Sequence, residues 1–210
     1  MRLKNLHRIL GIVLLLPLLL WATTGAVFLV KPGYDAAYEQ IAPKLYPIDE
    51  PLHVEGMSRW SDIRIIKTIL GSHLLVLDNS HWQHLDPATL EPRQNPTPDD
   101  VLALVADALQ GRSERYGTIN RVEGLAAYTD TGVVVTLDWD TLSLRQTGPD
   151  TSIIDTLYRI HYLQWTPSPA LNQLLGVLGL TLLFTLTVLG LFLFMRGKGG
   201  DSAAAVDRES

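Results

Sequence analysis

Six histidines and no cysteine set the chemistry open to this 210-residue chain. Disulfides, thiolate metal sites, iron–sulfur clusters and cysteine nucleophiles are all excluded. Imidazole is therefore the group to follow, since its charge changes near neutral pH and it binds many transition metals. His81 and His84 stand three apart. On a helix that spacing could chelate a metal. Turn material flanks the pair, Asp78-Asn79-Ser80 before it and Asp86-Pro87-Ala88-Thr89 after it, which favours a strand. Strand residues alternate faces, so the two rings are expected to point apart, and no metal site is expected there.

His7 and His161 have more telling surroundings. With Gly11 as zero and about 100° per residue, His7 and Gly25 fall near −40° and Ala22 near +20°. His7 thus shares a face with small residues, the kind that lets membrane helices approach closely. An interfacial histidine hydrogen-bonding at a helix end would look the same. His161 closes a stretch, residues 150–166, that reads as an amphipathic helix. Asp150 or Ser152 can cap it, Asp155 and Arg159 form an i,i+4 pair, and Ile154, Leu157, Tyr158 and His161 share one face. Tyr158, Tyr162 and Trp165 suit a membrane–water interface.

Two long apolar runs must position these histidines. Residues 9–30 and 171–195 carry no charge, and about 20 apolar residues suffice to cross a bilayer as a helix. Pro17 is expected to bend the first rather than break it. A cleaved leader could end at Ala22-Thr23-Thr24-Gly25-Ala26. Its apolar core would be only about 7–15 residues long, however, and this run continues to Val30, so a retained anchor is expected. Arg2, Lys4 and Arg8 flank the first run, and Arg196 and Lys198 follow the second. Basic flanks stay cytoplasmic, so both termini are expected inside and residues 31–170 outside. In the second run Gly176, Gly179, Thr187 and Gly190 form another small-residue stripe. The two helices are expected to pair with each other or across a homodimer.

Residues 1–8 read as a cytoplasmic lead and residues 31–57 as a stalk punctuated by Pro43, Pro47 and Pro51, with a short helix over 34–41. Residues 58–149 read as an α+β domain. Strands are expected over 60–91, including the buried run His73-Leu74-Leu75-Val76-Leu77. A helix capped by Thr97 or Asp99 follows to about Gly111, with Val101, Leu102, Val105 and Leu109 on one face. Strands return at 118–125, extended by 126–129, at 133–139 and at 142–146. The turns at Asp86 and Asp140 look alike, a faint internal repeat. Residues 196–210 read as a disordered cytoplasmic tail. The net charge is −5, with the excess acid between residues 31 and 170, which argues against nucleic acid as a partner. There is no phosphate-binding loop, no G-x-S-x-G elbow and no H-E-x-x-H helix, and no assembled hydrolytic nucleophile.

Leu6-His7-Arg8-Ile9-Leu10-Gly11, with Thr24-Gly25 and Asp35, resembles the opening of the PepSY-associated transmembrane proteins. Leu157-Tyr158-Arg159-Ile160-His161, Leu189-Gly190-Leu191 and Arg196 resemble that family's closing span. Residues 98–147 are similar to a PepSY-like domain. The resemblance implies an inner-membrane protein whose outer domain is periplasmic. It also implies a role beside a redox or iron-uptake system, since some longer relatives resemble ferric-siderophore reductases that hold b-type haem on membrane histidines. By that pattern His7 and His161 would be the axial ligands. This chain departs from the pattern: it has two spans rather than four, and Leu189 stands where threonine is usual. Its two histidines lie at opposite ends of the membrane, so bis-histidine ligation would need two copies. The expected fold is an α+β membrane protein, two transmembrane helices flanking an extracytoplasmic helix-plus-antiparallel-sheet domain. The expected function is an accessory binding domain on a membrane anchor, the alternative a dimeric haem b electron-transfer protein.

Overall fold

The computed structural model describes residues 3–49 and 59–206, the side chains of 197–206 excepted. The chain divides into two units, one holding Met1–Pro32 and Ile153–Ser210, the other Gly33–Ser152.

In the first unit α1 (Leu3–Val30) and α6 (Pro169–Val206) are both long and apolar enough to cross a membrane. The helix α1 carries Pro17 internally and stops where Lys31 turns left-handed before Pro32. It begins at Leu3, so most of the expected cytoplasmic lead is already helix. At the other end α6 runs through Val206, so much of the tail expected to be disordered is helical; residues 207–210 lie outside the described residues. Between them α5 (Pro149–His161) ends five residues short of the expected 166. Leu163 takes a positive φ of 55° and turns the chain, and Thr166 and Asn172 bond each other across the start of α6.

The second unit holds two antiparallel sheets and α3 (Pro98–Ala108). Sheet one is β1 (Trp60–Thr68), β2 (Gly71–Asp78) and β3 (His81–Leu85), in that order. Asn79 and Ser80, both left-handed, make the two-residue hairpin that pairs Asp78 with His81. Sheet two is β4 (Ile119–Glu123), β5 (Ala126–Thr129), β6 (Val134–Asp138) and β7 (Ser143–Thr147). The expected single strand over 118–129 is instead a hairpin, because Gly124 at φ 57° reverses the chain.

The side chains of β2 explain the unbroken apolar run in its sequence. Leu75 enters the main core with Val101, Leu104 and Val105 of α3 and Val135 and Leu137 of β6. Leu74 and Val76 face the other way, into a smaller cluster with Trp60 and Leu85. The helix α3 starts with a capping box between Thr97 and Asp100. Its buried face is Val101, Leu104 and Val105; Leu102, expected inside, is 40 % exposed.

The expected stalk is largely part of this unit. Tyr34–Ala37 forms α2, Ala37 and Ile41 are buried, and Tyr46 N–H bonds Lys67 O on β1. Residues 50–58, the rest of that stalk, lie outside the described residues. The entering chain is fastened to the departing one. Gln146 of β7 donates to Ala36 O and Glu39 O and accepts from Arg115 and Tyr116 of α4 (Ser113–Tyr116). Arg115 also pairs with Asp150 at 2.7 Å, and Arg112 with Glu39 at 2.8 Å.

Candidate functional site

In the Gly33–Ser152 domain the histidines pair in a way that spacing does not suggest. His81 is exposed and His84 buried, on opposite faces of β3, as strand alternation requires. The partner of His84 is His73 of β2, eleven residues earlier, with ring nitrogens 2.9 Å apart. Exposures of 0 % and 4 % seal both rings from solvent.

Their hydrogens can be ordered from the outside inward. Trp139 O can only accept, so His84 Nδ1, 2.9 Å away, carries a hydrogen. A neutral His84 then accepts at Nε2, and His73 Nδ1 donates to it. That leaves His73 Nε2 as an acceptor for the Thr68 hydroxyl at 2.7 Å, which itself accepts Leu70 N–H. Every polar atom of the chain is used. Burial holds both imidazoles neutral, pushing His73 down to about 3 and His84 to about 4; nearby Arg93 adds to both shifts, while the bond to Trp139 O works against the second.

Arg93 anchors the connector ahead of α3. Its guanidinium holds Ser72 O and Leu70 O, its backbone N–H bonds His84 O, and Trp139 Nε1 donates to Gln94 O. Beside this connector lies an open cavity of about 620 Å³. Ile69, Asp86, Arg93, Asn95, Asp100 and Trp139 are among its walls. Two of its carboxylates serve the backbone. Asp86 accepts Ala88 and Thr89 N–H, and Asp100 accepts Thr97; those bonds hold both carboxyls below their ordinary range.

In the membrane unit each candidate histidine packs against a glycine. The His7 ring lies against Gly190, where an added Cβ would come within 3.2 Å of it, and the His161 ring lies against Gly25 at 3.8 Å by the same measure. Gly11 faces Leu186 and Gly179 faces Leu163. Ala22 and Thr187 are exposed and Gly176 has nothing within 4 Å of a Cβ, so within one chain these three stand apart from the expected packing stripe. The 100° projection averages over a straight helix; contacts follow where the helices actually meet.

His161 is held at three points. Its Nδ1 lies 2.8 Å from Thr24 Oγ1, its carbonyl accepts Trp21 Nε1–H at 2.7 Å, and its ring meets Phe28 edge-on at 5.0 Å. His7 has a buried Nδ1 with no hydrogen-bond partner. His7 Nδ1 and His161 Nε2 are thus ring nitrogens without a hydrogen-bond partner among the described residues. Among the described residues neither end brings a second imidazole, and the seventeen helical steps of α1 from His7 to Thr24 separate the ends by about 26 Å.

A family model described as the PepSY-associated TM region matches residues 4–209, and the chain belongs to that family. It is a membrane protein with two spanning helices flanking a domain of two antiparallel sheets and helices. Neither a curated protein nor a solved structure matches it.

Proposed function

We propose that this member of the PepSY-associated family is an inner-membrane accessory protein. It holds its 33–152 domain outside the cytoplasm as a binding module for a membrane redox or metal-uptake system. The observation that supports this reading best is the open cavity of about 620 Å³ beside the 92–97 connector, walled by both signs of charge and an indole. The basic flanks of both spans argue for cytoplasmic termini. Because the chain has no cysteine, single cysteines introduced at Ser113 and Ser202 can be labelled in intact cells; the reading expects the first to react with an impermeant maleimide and the second not to. A photo-crosslinking residue at exposed Asn95 on the cavity rim should then capture an integral-membrane redox or transport protein. Equal capture from exposed Glu123 on β4, or capture of unrelated soluble proteins alone, defeats it.

A second reading rests on the membrane histidines: a homodimeric haem b protein in which His7 and His161 each meet their counterpart in a second copy. Its specific support is that His161 is fixed through one nitrogen only, with Nδ1 on Thr24. Bound haem would supply one-electron transfer. The residues' own part is to donate Nε2 or Nδ1 and to exclude water with Trp21, Phe28 and Tyr162. Purified protein should show a Soret band that shifts on reduction; a colourless preparation from haem-replete cells removes this reading and leaves the first.

A further inference from the structure

Five threonines on the spanning helices donate to the carbonyl four residues earlier: Thr23, Thr24, Thr181, Thr185 and Thr187. Among the described residues, four of these hydroxyls make that hydrogen bond and no other. Thr24 is the exception. It is 4 % exposed, and its oxygen also meets His161 Nδ1 at 2.8 Å. A hydroxyl has one hydrogen and two lone pairs. The helix offers the Thr24 hydrogen Leu20 O at 2.7 Å, with Trp21 O at 3.2 Å beside it. With the hydrogen placed there, the oxygen accepts from the ring, and a neutral His161 then carries its hydrogen on Nδ1 and keeps its lone pair on Nε2.

That tautomer is imposed rather than intrinsic, because an isolated neutral imidazole prefers its hydrogen on Nε2. Neighbouring contacts fix the ring's position as well as its protonation. Trp21 Nε1 holds the His161 backbone carbonyl, and Gly25 leaves room for the ring one residue from Thr24. Tyr162, at 5.3 Å, and Phe28, at 5.0 Å, meet the ring edge-on from two sides. Residues that hold the far nitrogen of a ligating imidazole commonly set its orientation and basicity.

We propose that Thr24 is the positioning residue for His161: its hydroxyl selects the Nδ1–H tautomer and so presents the Nε2 lone pair as a donor to iron. The ligand role of His161 is the haem reading above, and the proposal rests on it; the tautomer assignment does not. Three proteins separate the two questions: the wild type, Thr24→Val, which keeps the shape and removes the oxygen, and Thr24→Ser, which restores it. Each is purified as the full chain in lipid nanodiscs with ¹⁵N-labelled histidine, and the His161 ring signals are assigned by their loss in His161→Gln. In haem-free protein, wild type and Thr24→Ser should show protonated Nδ1 and unprotonated Nε2, while Thr24→Val moves toward Nε2–H. Haem titration should show affinity about 10–100-fold weaker in Thr24→Val, recovering in Thr24→Ser. A Thr24→Val protein with the wild-type tautomer overturns the proposal, as does one with wild-type haem affinity. Should the wild type bind no haem yet show the imposed tautomer and lose it in Thr24→Val, the haem reading falls and the tautomer assignment stands. Should it bind haem with Thr24→Val unchanged, the reverse holds.

Discussion

The two buried histidines of the sheet domain and the two of the membrane unit use the same side chain in opposite ways. His73 and His84 spend all four ring nitrogens on one another and on Thr68 and Trp139. Nothing is left over for a ligand, so the pair works as a cross-link between β2, β3 and the end of β6. His161 spends one nitrogen on Thr24, and His7 has a buried nitrogen with no partner. Burial and proximity, usual signs of a functional histidine, are strongest in the pair that does structural work. Unspent bonding capacity separates the two cases better.

The sharpest break of that contrast would come from haem. If the haem reading holds, His161→Ala or His7→Ala should weaken or abolish the Soret band, while His84→Ala leaves haem per folded chain unchanged; loss of the band in His84→Ala would erase the distinction. Stability should run the other way. His84→Leu strands Trp139 O and His73 Nδ1 in the core, and each unsatisfied group costs about 1–3 kcal/mol, so denaturant unfolding of the sheet domain should show a loss of about 3 kcal/mol or more. His161→Leu should cost about 1 kcal/mol or less, since Thr24 keeps its bond to Leu20 O.

Acid should find the same cross-link. Both imidazoles of the sheet domain titrate lower in the folded domain than in the unfolded chain, near 3 and 4 against 6.5. Above about pH 6.5 neither state binds these protons, and stability is full. Between there and about pH 4 the unfolded chain takes up protons that the folded domain refuses, so stability falls by up to about 1.4 kcal/mol per pH unit for each imidazole. The slope of unfolding free energy against pH should therefore be shallower in the doubly substituted His73→Leu, His84→Leu protein, provided it folds; an unchanged slope in that window contradicts the assignment. The smallest effect sharpens the membrane half. Thr23→Val, which removes only a bond to Leu19 O, should stay within about 0.5 kcal/mol of wild type in thermal unfolding and leave the His161 ring signals in place.

Local signals were readable ahead of the structure. Charge-free runs announced both spans, Thr97 and Asp100 announced the start of α3, and the alternation rule separated His81 from His84. Pairing across the fold was not readable. Nothing in the sequence joins His73 to His84 and Trp139, because the bond depends on the β2–β3 register and on how sheet two packs against sheet one. In hindsight the run around His73 held a hint, a polar residue amid continuous burial that must find a partner. The Thr24–His161 contact spans 137 residues and was equally hidden. Of the small residues in the two stripes, Gly11, Gly25, Gly179 and Gly190 each face a side chain, Ala22 and Thr187 are exposed, and Gly176 has nothing within 4 Å of a Cβ.

The turns at Asp86 and Asp140 were expected to look alike; the structural counterpart of Asp86 is Asp138, two residues before Asp140. Asp86 accepts Ala88 and Thr89 N–H, Asp138 accepts Asp140 and Thr141 N–H, and Leu90 and Leu142 both follow with positive φ.

Gln146 gives the sheet domain a mechanical character. The strand of chain that arrives from α1 and the strand that leaves toward α5 are buckled to one another through this amide, Arg115 and Asp150. Tension applied along either tether loads the same clasp, which is anchored in β7. The domain would ride such a load as a closed loop, unzipping only after the buckle gives way.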